Sequence, residues 1–192
     1  MLYPWGYEVD DLPDLITPEQ FSDATDGRYD GDGRIPDAIA AASAAIRNWC
    51  GWHVAPALDC SITLDGEAGD IWLPVGTLNS VASATVDGSE VEVVGHNRRG
   101  RVRLASKTCG LGNVTIHFNA GYELDALPGL AKAVADVVVD QIALTTYGVA
   151  SETAGGVSIS YSTTKVNQQG TALPDNLKPG LMPYKLVRAH AA

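Results

Sequence analysis

Four histidines, three cysteines and an aspartate-rich turn hold most of the chemistry this chain could perform. A zinc site needs Cys or His ligands in closely spaced pairs. His53, His96, His117 and His190 fall in four separate stretches, and none is spaced that way with Cys50, Cys60 or Cys109. Three widely separated cysteines fit buried free thiols in a reducing compartment better than a disulfide frame. Asp30-Gly31-Asp32-Gly33-Arg34-Ile35 invites a calcium loop. With Gly33 as the turn glycine, Asp30 and Asp32 take the third and fifth ligand positions. The first position is then Arg28 and the twelfth Ile39, neither of which binds calcium, so a polar turn ahead of a helix is the simpler reading. The chain has no Gly-x-Ser-x-Gly elbow, Walker loop or dinucleotide fingerprint. We therefore expect no catalytic residue, no metal, no cofactor and no enzyme.

Charge is the next source of chemistry. The 192 residues carry a net charge of −10, unevenly spread. Residues 1–37 hold ten acids (Glu8, Asp10, Asp11, Asp14, Glu19, Asp23, Asp26, Asp30, Asp32, Asp37) against Arg28 and Arg34, a net of −8. The basic groups are Arg98, Arg99, Arg101, Arg103 and Lys107 in one stretch, and Lys178, Lys185 and Arg188 near the end. An acidic chain lacks the dense basic face that duplex DNA binding requires. The Arg98, Arg99, Arg101, Arg103 cluster reads as a solvated hairpin end, with phosphate contact as the sharper alternative. The closing stretch Leu181-Met182-Pro183-Tyr184-Lys185-Leu186-Val187-Arg188 gathers an aromatic, cations and apolar residues after a Gly- and Gln-rich segment. A tail of that composition is either tucked against its own domain or offered to a partner.

Helices and strands must position these groups. Thr17-Pro18-Glu19-Gln20 predicts a short capped helix with Phe21 as its core anchor. Pro36 to Cys50 predicts a long one, with Ile35, Ile39, Ala42, Ile46 and Trp49 in one stripe and Gly51 ending it. Ala38, Ala41 and Ala45 lie on an adjacent face and are candidates for close packing or a subunit contact. From Leu58 to Tyr122 the period falls to two, predicting five or six strands with a hairpin turn at Asp87-Gly88. His117 belongs on the polar side of its strand. Pro128 to Tyr147 predicts a second long helix, with Leu127, Leu130, Ala131, Val134, Val137, Val138 and Ile142 inward. Val157 to Tyr161 reads as a strand. No apolar run approaches the roughly 18 residues of a membrane span, and the N-terminus lacks the regions of a signal peptide.

The order of several stretches resembles the head-to-tail adaptor (head–tail connector) family of tailed bacteriophages. These are Leu15 to Phe21, Ile39 to Val54 with Ile46-Arg47-Asn48-Trp49-Cys50-Gly51-Trp52, Leu73 to Val81 with Val86-Asp87-Gly88, Val114 to Tyr122 before Leu127-Pro128, and Met182 to Arg188. The period of two predicts an inserted small all-β domain (57–122), a departure from the family, and an extended C-terminal arm (162–192) follows, so the expected fold is α+β; the resemblance implies its helical-bundle core (1–56 plus 123–161). It also implies a ring of the chain itself, usually of twelve, seated in the virion neck under the portal protein. Such a ring extends the DNA channel and meets the next neck (stopper) or tail protein. The portal-docking residues would be Leu181 to Arg188. Duplex DNA would pass through the lumen without specific binding, no membrane would be involved, and the protein would reside in the host cytoplasm during assembly. A ring of twelve would carry a formal charge of roughly −120. The alternative is a β-domain binding module for a carbohydrate or protein surface, with Trp72 and Tyr122 as its aromatics.

Overall fold

The computed structural model describes residues 3–66, 70–106, 108–123, 127–146, 151–154, 157–160 and 173–186. They fall into two units. The first comprises Met1–Pro13, Arg47–Pro128 and Met182–Ala192; the second comprises Asp14–Ile46 and Gly129–Leu181.

The first unit is built from eight strands: β1 (Glu8–Val9), β2 (Leu58–Gly66), β3 (Ile71–Trp72), β4 (Leu78–Val86), β5 (Ser89–Glu90), β6 (Val93–His96), β7 (Arg101–Leu104) and β8 (Gly110–Ala120). They form a five-stranded sheet, in the order β1-β2-β8-β4-β5, and a three-stranded sheet, β3-β7-β6, with every pairing antiparallel. Alternation fixes the register. Cys60 and Ile62 of β2 stand opposite Phe118 and Ile116 of β8, and Ala84 of β4 opposite the same Ile116; all five are buried. A slip of one residue would turn that set to water. The other face is polar: the Thr63 and Thr115 hydroxyls lie 3.1 Å apart, and Asn119 Nδ2 donates to Asp59 Oδ1 at 2.8 Å. His117 is exposed on this side, as its position in the alternation predicts.

At the β4–β5 turn, Asp87 (φ 51°) and Gly88 (φ 77°) both take left-handed conformations, the requirement of a two-residue primed turn. The tip joining β6 to β7 is set by Asn97. Its side-chain oxygen accepts from the amides of Arg99 (3.0 Å) and Arg101 (3.1 Å), while its carbonyl accepts from Gly100 (3.1 Å).

The second unit carries the helices. α1 (Pro18–Ala24) opens with the expected capping box: Gln20 N donates to Thr17 Oγ1 (3.2 Å) and Thr17 N to Gln20 Oε1 (2.9 Å), with Phe21 buried. α2 (Ile35–Cys50) buries Ile35, Ile39, Ala42 and Ile46, and its last turn, from Arg47, groups with the first unit. α3 (Pro128–Thr146) buries Leu130, Val134, Val137, Val138 and Ile142. A hairpin of β9 (Ser151–Ala154) and β10 (Val157–Ser160) and one helical turn, α4 (Lys178–Leu181), complete the unit.

The expected helical-bundle core with a small β insertion and an extended arm is overturned. Among the described residues antiparallel strands dominate the architecture, with five in one sheet, three in a second and two in the β9–β10 hairpin. Of the four α-helices among the described residues, α1 and α4 have only seven and four residues, too few to stand as bundle members. Long helices announce themselves by period, whereas β1, β3 and β5 have two residues each and show none. The N-terminal segment was the hidden part, since Trp5, Tyr7 and Val9 are buried and β1 pairs with β2. Nor is the arm extended where it is described. Residues 173–186 form turns and short helices, with Leu173 and Leu181 buried. Tyr161 and Lys107 lie outside the described residues.

Candidate functional site

The site with the densest set of specific contacts is the exit of α2 and the C-terminal segment held against it, all within the first unit. Gly51 ends the helix with φ 79° and donates its amide to Arg47 O at 2.8 Å, a C-terminal cap that needs a glycine. Arg47 is buried, and its guanidinium donates to three carbonyls: His53 (2.9 Å), Ala55 (2.8 Å) and Pro13 (2.6 Å). A buried cation held by that many acceptors fixes both the loop after the helix and the segment arriving from the N-terminus. Val54 has φ 69°, a rare conformation for a β-branched residue, and its carbonyl accepts from Tyr122 N at 2.9 Å.

His53 is fully buried between Tyr7 and β8. Its Nε2 lies 2.9 Å from Ala120 O, a group that only accepts, so Nε2 carries the proton. Nδ1 is then the acceptor for Tyr7 OH at 2.6 Å, and the Tyr7 oxygen accepts from His53 N at 3.1 Å. Every polar atom in this chain of groups has a partner. Burial holds the imidazole down to about 4, with the Arg47 charge adding to the effect, and burial pushes the Tyr7 hydroxyl far up.

The C-terminal segment docks on this frame. Trp52 Nε1 donates to Tyr184 O at 2.7 Å, and Leu186 N donates to Cys50 O at 2.8 Å. Lys185 Nζ stands 4.5 Å from the centre of the Trp49 ring, a cation–π contact. The Tyr122 ring meets both Trp52 and Tyr184 edge-on. Space for Trp52 depends on Gly76, where a Cβ would lie 2.5 Å from Trp52 Cζ2. Of the residues singled out in the tail, Leu181 is buried, Tyr184 and Leu186 are half-buried, and Met182, Pro183 and Lys185 are exposed. Val187 and Arg188 lie outside the described residues.

The other singled-out residues do not join this site. Ala38 and Ala41 are half-buried and Ala45 is buried, in the second unit. Asp30 accepts from Ser22 Oγ at 2.7 Å, and Asp32 pairs with Arg34 at 2.6 Å, whose hydrogen bonds bring the carboxyl down to about 2. These contacts make the aspartate-rich stretch a self-satisfied turn. Cys50 and Cys60 are buried and their thiols pushed up to about 12 by burial, but Cys109 is exposed, against expectation. His96 is exposed, and His190 lies outside the described residues.

The arginine cluster divides. Arg98 and Arg99 are exposed at the β6–β7 tip, with Arg98 Nε donating to Thr77 Oγ1 at 3.1 Å. Arg101 and Arg103 share Asp70: Arg103 Nε donates to Oδ1 at 2.6 Å, and an Arg101 Nη2 contact reaches Oδ2. Hydrogen bonds from Arg103, and then Arg101, hold the Asp70 carboxyl below its ordinary range. Trp72, opposite Arg101 in register, is 57% exposed, and the guanidinium carbon sits 5.8 Å from its ring centre. Tyr122, the other aromatic of the binding-module reading, is half-buried against Trp52 and Tyr184. Sequence reasoning gave no role to Tyr7, Arg47 or Asp70 and weighed His53 only as a metal ligand. Arg47 and His53 carried a signal of place alone, on either side of the predicted helix end.

Comparison with known proteins gives two solved structures of similar fold. One is described as the neck of a native gene transfer agent (GTA) particle computed with C12 symmetry, with 17% identity and a TM-score of 0.55 over 95% of this chain and 98% of that one. The other is the virion of a native GTA particle, with 17% identity and a TM-score of 0.64 over 97% and 98%. No match was found among curated proteins. The family model for head completion proteins matches residues 14–185, in agreement with the head–tail connector resemblance read from the sequence. That match takes in most of both units, and the chain belongs to the head completion protein family.

Proposed function

We propose that this protein is a structural component of the virion neck, a head-to-tail adaptor that joins the capsid to the tail and has no enzymatic role. The observation that carries the reading is the family match across residues 14–185. In the finer form of the proposal, copies of the chain form a ring, of twelve, beneath the portal protein. The C12 symmetry of the similar neck structure supports that number. The ring meets the next neck or tail protein on its other side and extends the DNA channel. It assembles in the host cytoplasm and resides in the neck. Acids outnumber cations on the lumen, so that duplex slides past without being held by counterion release.

The C-terminal stretch is the proposed portal contact. Fixed at Tyr184 and Leu186, it turns Met182, which is 59% exposed, and Pro183 outward. Repetition around a ring makes modest contacts act together. Attachment to DNA-filled heads tests this. Met182→Glu, and separately truncation after Leu186, should each reduce the copies bound per head at least about tenfold while the protein stays folded. Undiminished attachment of both variants would overturn the docking assignment.

A further inference from the structure

The small sheet β3-β7-β6 has an outward face that the docked C-terminal segment does not use. Arg101 and Arg103 alternate with buried Val102 and Leu104, so both guanidiniums stand on that face beside Trp72 and Asp70. Val94, 59% exposed, lies with His96, Asp70, Arg101 and Arg103 along a shallow groove of about 290 Å³, and Trp72 lines a neighbouring hollow with Asp65. Arg98 and Arg99 extend the charge to the adjoining tip. Four arginines against Asp70 and Asp65 give the patch a net of +2 on a chain of net −10. Of the four large hydrophobic residues exposed among the described residues, two are here, Trp72 and Val94.

Exposed Trp and Arg around apolar contact area is the composition of a protein interface centre. Asp70 places a carboxylate among the guanidiniums, which opposes a phosphate backbone and orients the two arginines instead. Both arginines remain exposed, Arg101 at 47% and Arg103 at 62%. A matching surface exists on the same unit. Glu8, Asp10 and Asp11 are exposed beside β1, at the edge of the other sheet, and none of their side chains makes an ion pair among the described residues.

We infer that the Trp72–Arg101–Arg103 face docks the acidic 8–11 segment of a second copy of this chain, forming a head-to-tail contact between neighbours. A closed ring needs such a pair of unlike patches on every subunit. The inference rests on the ring reading above and supplies its contact. Carboxylates of the incoming segment meet the outer donors of Arg99, Arg101 and Arg103, and Trp72 and Val94 provide the dry centre.

Charge swapping tests this with the full-length protein. One variant carries Arg99→Glu and Arg103→Glu, the other Asp10→Arg and Asp11→Arg. Ring assembly is measured by sedimentation and by electron images of necks on completed heads, with circular dichroism as the folding check. Each variant alone should assemble at least about tenfold more weakly than wild type, because like charges then face each other. An equal mixture should recover to within about threefold, since alternating copies restore every junction. The chain carrying all four changes should recover likewise. The Asp10/Asp11 variant alters exposed side chains that make no ion pair among the described residues, so it remains informative if the arginine variant fails to fold. Wild-type rings with no loss in either variant would overturn the contact and leave the ring reading standing. No ring from wild type, alone or on heads, would overturn both. Intact rings with lost salt-sensitive duplex binding in the arginine variant would reassign the patch to DNA.

Discussion

Lowering the pH from 7 to 5 should destabilise the β unit through His53. The imidazole donates from Nε2 to Ala120 O and accepts at Nδ1 from Tyr7 OH. A second proton would turn Nδ1 from acceptor to donor and leave the Tyr7 proton without its partner, in a site that also holds the Arg47 cation. Burial is the main cause that keeps the folded imidazole down to about 4 against an ordinary 6.5, and Arg47 adds to it. The unfolded chain therefore takes up this proton at higher pH than the folded one. The stability from the neutral ring is whole above about 6.5, drains as pH falls, and is fully lost below about 4. The gap is worth about 3 kcal/mol in full, and about 2 kcal/mol of it falls between pH 7 and 5. Asp32, Asp70 and Asp175, whose folded values lie below the ordinary 3.8, lose their contributions only at lower pH. Urea unfolding followed by tryptophan fluorescence reads the right unit, because Trp5, Trp49, Trp52 and Trp72 all belong to it. His53→Gln should be less stable at pH 7 and should lose most of the slope. Equal wild-type stability at the two pH values, or a slope that survives the substitution, would refute the argument.

Two further substitutions probe the hold of the α2 exit on the C-terminal segment. Gly76→Ala puts a methyl 2.5 Å from the Trp52 ring, so the ring must move; we expect a loss of about 1–3 kcal/mol in urea unfolding, and a loss under about 0.5 kcal/mol would show that Trp52 is loosely held. Trp52→Phe removes the donor to Tyr184 O and should speed exchange of the Leu186 amide about fivefold to tenfold, as loss of about 1 kcal/mol predicts; unchanged exchange would show that the segment is fixed by other contacts.

Sequence and structure agree where a feature is local. The Thr17–Gln20 capping box, the stripe of α2 with its Gly51 stop, the Asp87-Gly88 turn and the alternation of β8 are each written within a few residues. What failed to show was made at distance. Tyr7 and His53 are 46 positions apart, and Trp52 and Tyr184 are 132. Arg47 looks like an ordinary last-turn cation until its carbonyl partners are seen. The helices α2 and α3 declare their buried faces by period, whereas two-residue strands such as β1 declare nothing until paired.

The two sticky segments show a different limit. Composition reports that a stretch will bury itself, but not on what. Tyr184 and Lys185 find Tyr122, Trp52 and Trp49 within the same unit, so the tail's own aromatic is spent on holding the segment. Outward contact then falls to Met182 and Pro183, residues with little weight in the sequence reading. The arginine stretch changes meaning for a parallel reason. As a run of four cations it reads as a solvated hairpin end, with phosphate contact as the alternative. Once Asp70, more than thirty positions earlier, is bonded to Arg103 at 2.6 Å, and Trp72 stands beside Arg101, the same residues form an oriented, partly neutralised surface with apolar area. Phosphate recognition gains nothing from a carboxylate at its centre, whereas a protein contact gains two guanidiniums whose directions are already fixed, at less entropy cost on docking.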